Sequence, residues 1–153
     1  MIRKTHLALG ILAIATTLLT GCAPMVTLDA AEDANNAECA EIIVRLPDEL
    51  AGEQKRRVNA QSTAAWGEPV SVILRCGLEP VEVSALPCVS AADIDWLVDD
   101  ANAPSFRFIS YARFPATEVI IDSTKLAGVT VLEQLSSAVG VLDATKRCTE
   151  ITN

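Results

Sequence analysis

Asp93-Ile94-Asp95-Trp96-Leu97-Val98-Asp99, then Asp100-Ala101-Asn102-Ala103-Pro104, then Ser105-Phe106-Arg107-Phe108-Ile109, sets the pattern for the whole chain. From Ala92 to Asp99, Ile94, Trp96 and Val98 fall on one side of a two-residue period. Asp93, Asp95, Leu97 and Asp99 fall on the other, which is the pattern of a half-buried strand. The Asp-Asn-Pro run from Asp99 to Pro104 reads as a hairpin loop. Ser105 to Arg113 then returns as a second strand carrying Phe106, Phe108, Ile109 and Tyr111. Strands joined by so short a connection pair antiparallel, so the expected sheet is antiparallel.

Working outward, Val70 to Cys76 alternates Val70, Val72 and Leu74 with Ser71, Ile73 and Arg75, which predicts a central strand. Ala64 to Pro69 turns the chain into it. Gly77 and a proline-bearing loop follow, closed by Cys88. Pro115 ends the second hairpin strand, and Thr117 to Ile121 forms another. Cys39, Ile42, Ile43 and Leu46 recur at helical spacing and are stopped by Pro47. Leu132, Leu135, Ser136, Val139 and Leu142 do the same near the end, with Thr130 and Glu133 at capping-box spacing and Gly140 near the C-terminus of the helix. Lys55-Arg56-Arg57 is the one basic cluster, read as a solvated edge strand rather than a docking patch. The expected fold is α+β: one small domain with an antiparallel sheet of about four to six strands, an N-terminal helix and a C-terminal helix.

The N-terminus carries Arg3 and Lys4 and then an uncharged apolar run from Leu7 to Leu19. That run suits a signal-peptide core and falls short of the roughly 20 residues of a spanning helix. It ends in Leu19-Thr20-Gly21-Cys22, which resembles the lipobox of bacterial lipoproteins. The resemblance implies lipidation of Cys22 and cleavage after Gly21. Two or more acyl chains then give stable attachment at about 0.8 kcal/mol per buried methylene. The expected organisation is a leader over 1–21, a flexible tether over 22–37 and a folded domain over 38–153. As a free coil, that tether would span roughly 20–25 Å.

Among 12 basic and 20 acidic residues, the leader holds Arg3 and Lys4, so the mature chain keeps ten basic residues and a net charge of −10. That charge opposes nucleic acid and anionic headgroups. The only histidine is His6, also in the leader. Ser-His-Asp and Cys-His catalysis and His-ligated zinc are thereby excluded from the mature chain. No cofactor is expected.

Cys39, Cys76, Cys88 and Cys148 remain after Cys22, an even number in an exported chain, which reads as two disulfides with three connectivities open. The favoured pairing is Cys76–Cys88, around a tight proline-bearing loop, with Cys39–Cys148 joining the domain's ends. These contribute about 3 and about 4.7 kcal/mol in the chain-entropy model. Without a Cys-x-x-Cys knuckle, a Cys₄ zinc site is the weaker reading.

Candidate chemistry centres on Asp93, Asp95, Asp99 and Asp100. Two such carboxylates on one strand face can hold Ca²⁺ or act as acid and base on a cell-wall glycan. The calcium-loop order is missing, however, and a charged outer strand face is ordinary. Trp66, Trp96, Phe106, Phe108, Tyr111 and Phe114 are candidates for a stacking cradle, with core packing as their default use. Arg107 and Arg113 share a strand face with Tyr111, suited to a carboxylate or phosphate, although cross-strand pairing with the aspartates explains them equally well.

Trp66-Gly67-Glu68-Pro69, Leu74-Arg75-Cys76-Gly77, Cys88, Asp95-Trp96-Leu97, Phe106 to Arg113 and Pro115-Ala116-Thr117-Glu118-Val119 together resemble an actinobacterial lipoprotein family, the domain of unknown function 3515. Ile94 and Ala112 stand where that family tends to have glycine. The resemblance implies the Cys76–Cys88 pairing and a lipoprotein on the outer face of the cytoplasmic membrane, and it supplies no activity. The combined expectation is a non-catalytic binding or accessory module that meets an envelope protein or glycan. The alternative is a glycan-active enzyme using Asp93, Asp95 or Asp99.

Overall fold

The computed structural model describes residues 24–148, so the expected leader, Cys22 and residues 149–153 lie outside it. Two four-stranded meanders meet edge to edge. The first is β1 (Glu49–Leu50), β2 (Glu53–Arg56), β3 (Thr63–Trp66) and β4 (Val72–Leu78); the second is β5 (Cys88–Ala91), β6 (Ile94–Asp99), β7 (Ser105–Ser110) and β8 (Ala116–Asp122). The last strands of the two meanders pair antiparallel, giving the order β1-β2-β3-β4-β8-β7-β6-β5. Helix α1 (Ala37–Ile43) precedes the first meander, and α2 (Gly128–Val139) follows the second.

The expected antiparallel sheet and two helices are present. The sheet has eight strands rather than four to six, and neither helix is terminal, because described chain lies before α1 and after α2. The extra strands carry little sequence signal, for physical reasons. In β3 all four residues, Thr63-Ala64-Ala65-Trp66, are buried, so no two-residue period exists to read. β1 is two residues long, and β5 begins at Cys88, where the proline-bearing loop ends. The Lys55-Arg56-Arg57 cluster begins in β2, which is paired on both sides and is not an edge.

Alternation places Val72, Leu74 and Cys76 of β4, Val119 and Ile121 of β8, and Ile94 and Trp96 of β6 in one core with both helices. From α2, Val131, Leu132, Leu135, Ala138 and Val139 are buried there, one apolar stripe at helical spacing. The capping box is not used: α2 starts at Gly128, its N-cap is Ala127, and no side chain caps it. Gly140 is the C-cap, as expected. Asn36 caps α1 by accepting from the Glu38 amide at 3.0 Å. Ala112 keeps a left-handed turn at φ +52° although it is not glycine.

The cysteines pair otherwise than expected: the bonds are Cys39–Cys76 and Cys88–Cys148, not Cys76–Cys88 and Cys39–Cys148. Cys76 has the parity of Val72 and Leu74 and so points into the core, where α1 presents Cys39 beside Ile42. Cys88 sits on β5, at the far end of the sheet from β4 and beyond reach of Cys76. Cys148 reaches it from the tail, with Cα atoms 6.0 Å apart.

Where the expected tether is described, it is docked. Val26 bridges Val58, its amide donating to the Arg57 carbonyl at 2.8 Å. Leu28 donates to Asn59 Oδ1 at 2.7 Å, and Asp33 donates to the Gly77 carbonyl at 3.0 Å. Backbone pairing of this kind needs no apolar side chains, and for that reason composition made the segment look unstructured. The described part of the segment before α1 thus packs on the sheet instead of hanging free.

Candidate functional site

The four aspartates do not form a site together. Asp93 lies in the β5–β6 turn, outside either strand, and its carbonyl accepts from Arg147 Nη1 at 2.7 Å. Asp95 is buried at 6% exposure with both oxygens occupied: Ser90 Oγ donates to one at 2.6 Å and the Cys148 amide to the other at 2.8 Å. It holds the tail in place for the Cys88–Cys148 bond. Asp99 faces Arg107 across the hairpin, and Asp100 is exposed in the loop. Among the described residues, no three cysteine, histidine or acidic side chains gather to hold a metal.

The aromatics are also dispersed. Trp66 and Trp96 are fully buried in the core, whereas Phe114 is 58% exposed. Tyr111 donates its hydroxyl to the Glu82 carbonyl at 3.0 Å. Arg107 and Arg113 part company: Arg107 stays on β7, and Arg113 lies in the following turn, bridged to Ala144.

What the sheet does assemble is a charge cluster on the face away from the helices. Register sets Arg75 directly opposite Glu118, with Ile109 opposite Glu118 on the other side. Arg107, two residues before Ile109, then lies on the diagonal neighbour position. Arg75 Nε donates to Glu118 Oε1 at 2.5 Å, and Arg107 Nε donates to Oε2. The carboxylate is 1% exposed, while each arginine side chain keeps about a third of its surface, at 32%. Asp99 adds an outer charge 3.9 Å from Arg107 Nη1.

Beside the cluster runs a groove of about 420 Å³. Arg75 and Arg107 form its charged wall, Leu78, Val81 and Ile109 its apolar surface, and the docked Ala30-Ala31-Glu32 its far side. Guanidinium N–H groups not committed to Glu118 can take a carboxylate or phosphate in fork geometry, next to a surface that can hold an apolar body. Sequence reading passed over Arg75 and Glu118. The available signal was their phase, opposite to Val72-Leu74-Cys76 and to Val119-Ile121, which put a cation and an anion side by side on neighbouring strands.

No curated protein and no solved structure matches the chain. A family model described as "Protein of unknown function (DUF3515)" matches residues 4–147. That span takes in both helices and all eight strands, and the chain belongs to the DUF3515 family.

Proposed function

We propose that this protein is a cell-envelope lipoprotein. Anchored through Cys22 on the outer face of the cytoplasmic membrane, it acts as a non-catalytic binding or accessory module. The observation that carries this reading is the docked segment after the anchor, which itself walls the groove. Arg56 Nη2 holds the Pro24 carbonyl at 3.0 Å, only two residues beyond Cys22. Two residues span at most about 7 Å, and the eight from Cys22 to Ala30 at most about 28 Å. A lipid on Cys22 thus keeps the domain against the membrane, with the Arg75–Arg107 groove within that reach. The dispersal of Asp93, Asp95, Asp99 and Asp100 supports binding over acid–base chemistry, since the oxygens of Asp95 are already occupied.

Two measurements in intact cells test the reading. Cys22→Ser is expected to leave an unlipidated precursor, and a mature protein still in the membrane fraction would count against the anchor. A photo-crosslinking residue at exposed Glu79, beside the groove, is expected to capture an envelope protein or glycan that the same probe at exposed Glu133 on α2 misses. Arg107→Glu should abolish that capture; equal capture from both positions would remove the groove from the proposal. Turnover of cell-wall fragments lost on Asp93→Asn or Asp99→Asn would establish the enzymatic alternative instead.

A further inference from the structure

A second pocket, of about 470 Å³, opens between the last turns of α2, the tail after it and the β5–β6 turn. It is separate from the groove and independent of the anchor. At its base lies Arg113, only 5% exposed. Among the described residues, no carboxylate lies within ion-pair distance of Arg113, and its Nε is buried without a hydrogen-bond partner. The tail builds the pocket: Thr145 donates to the Ala112 carbonyl at 2.9 Å, and Ala144 bridges Arg113. This brings Asp143 and Arg147 into the rim beside Asp93, and α2 adds Ser136 and Ser137 to the lining.

A guanidinium this buried ordinarily has a counter-ion in contact, because desolvation of an unpaired charge is costly. Burial is the largest influence lowering its pKa, followed by the like charge of Arg147; Asp143 and Asp95 oppose them from a distance. The base of the pocket therefore favours a monovalent, planar anion that can take a bidentate bond, namely a carboxylate. The rim holds one cation, Arg147, whose Nη1 donates to the Asp93 carbonyl, against two carboxylates, so its balance is negative. Asp93 and Asp143 are both exposed there, and the carbonyl end of α2, capped by Gly140, adds a partial negative charge. The same rim disfavours a dianionic phosphate.

We propose that this pocket binds the head group of an α-amino acid, with its carboxylate on Arg113 and its ammonium towards Asp143 and Asp93. The head group is either that of a free amino acid or one carried at the end of a longer envelope molecule. Ser137, exposed in the lining, adds a hydroxyl to the pocket.

Isothermal titration of the full-length chain in detergent tests this with alanine, Nε-acetyl-lysine, acetate, methylamine and inorganic phosphate. Alanine and Nε-acetyl-lysine are expected to bind, with acetate, methylamine and phosphate at least tenfold weaker. Tighter binding of Nε-acetyl-lysine than of alanine assigns the site to an attached head group, and the reverse order to a free amino acid. Arg113→Met should abolish binding. If that variant does not fold, Asp143→Asn decides: it should weaken alanine about tenfold and leave acetate unchanged. Binding of acetate or phosphate as tight as that of alanine, binding unaffected by either substitution, or no binding of any probe would overturn the proposal.

Discussion

Glu118→Gln is the most informative single change in the Arg75–Glu118–Arg107 cluster. The substitution preserves side-chain shape but leaves one acceptor oxygen where there were two. One arginine keeps a partner of reduced charge, and the other meets an amide N–H₂ that can only donate. A hydrogen bond to a charged group contributes about 1.5–3 kcal/mol and a neutral one about 0.5–1.5. Losing one of the first kind and weakening the other sums to roughly 2–4 kcal/mol. Both guanidiniums are about a third exposed and can turn to water or, for Arg107, towards Asp99, so the lower end applies, about 2 kcal/mol. With an unfolding entropy near 0.26 kcal/mol/K for a domain of this size, that is a fall of about 8 °C in Tm. The assay is thermal unfolding followed by circular dichroism, beside the triple change of Arg75, Glu118 and Arg107 to leucine. Replacing a buried ionic group wholly by apolar residues is often neutral or stabilising. The expected outcome is therefore an unstable single variant and a triple variant close to the parent. A Glu118→Gln Tm within 2 °C of the parent would refute the reasoning, because the buried carboxylate would then do nothing its amide cannot. A stable triple variant that no longer crosslinks from Glu79 would place the reason for keeping these charges in the groove rather than in stability.

Three further outcomes are expected. Non-reducing peptide mapping should recover Cys39 with Cys76 and Cys88 with Cys148; the double change of Cys39 and Cys76 to alanine removes a 37-residue crosslink and should cost about 4 kcal/mol in denaturant unfolding. Gly77→Ala should release the docked segment, since Gly77 sits at φ +107° and a Cβ there would come 2.5 Å from the Asp33 backbone; limited proteolysis should then cut between residues 24 and 34 far faster than in the parent. Asp95→Ala should destabilise by about 1–3 kcal/mol through the orphaned Cys148 amide and Ser90 hydroxyl, whereas exposed Asp93→Ala should stay within about 0.5 kcal/mol in the same chemical denaturation.

The hairpin of β6 and β7, the central strand β4 and the buried stripe of α2 were legible because each carries its own side-chain period. The disulfide pairing was legible in principle as well. Cys39 falls in the apolar stripe of α1 with Ile42, and Cys76 falls in phase with Val72 and Leu74, so both are core residues on the same side of the sheet. Cys88 is exposed and Cys148 half-buried. Sorting the four by phase pairs core with core and rim with rim. Sorting them by loop length favours Cys76–Cys88, and that preference rests on a short loop whose entropy gain is the smaller one.

The segment before α1 decides how the other face of the sheet looks from sequence. Residues 24–36 hold only three large apolar side chains, Met25, Val26 and Leu28, and composition alone gives such a stretch little reason to order. They order through backbone partners, Val26 with Val58 and Asp33 with Gly77, which no composition displays. Once that segment is taken as a loose leash, the face of the sheet away from the helices has nothing over it. Arg75, Arg107 and Glu118 then become ordinary surface charges, and attention moves to the aspartates of β6. With the segment docked, Leu28 and Asp29 come to lie by Glu118, and Ala30 to Glu32 lie across from the two arginines. The same residues turn from solvent-facing charges into the wall of a groove. The stretch that would carry the anchor and the stretch that completes the groove are thus one piece of chain. The groove wall at Ala30 to Glu32 is held by Leu28 on Asn59 and Asp33 on Gly77, so the wall keeps its place only while those backbone bonds do.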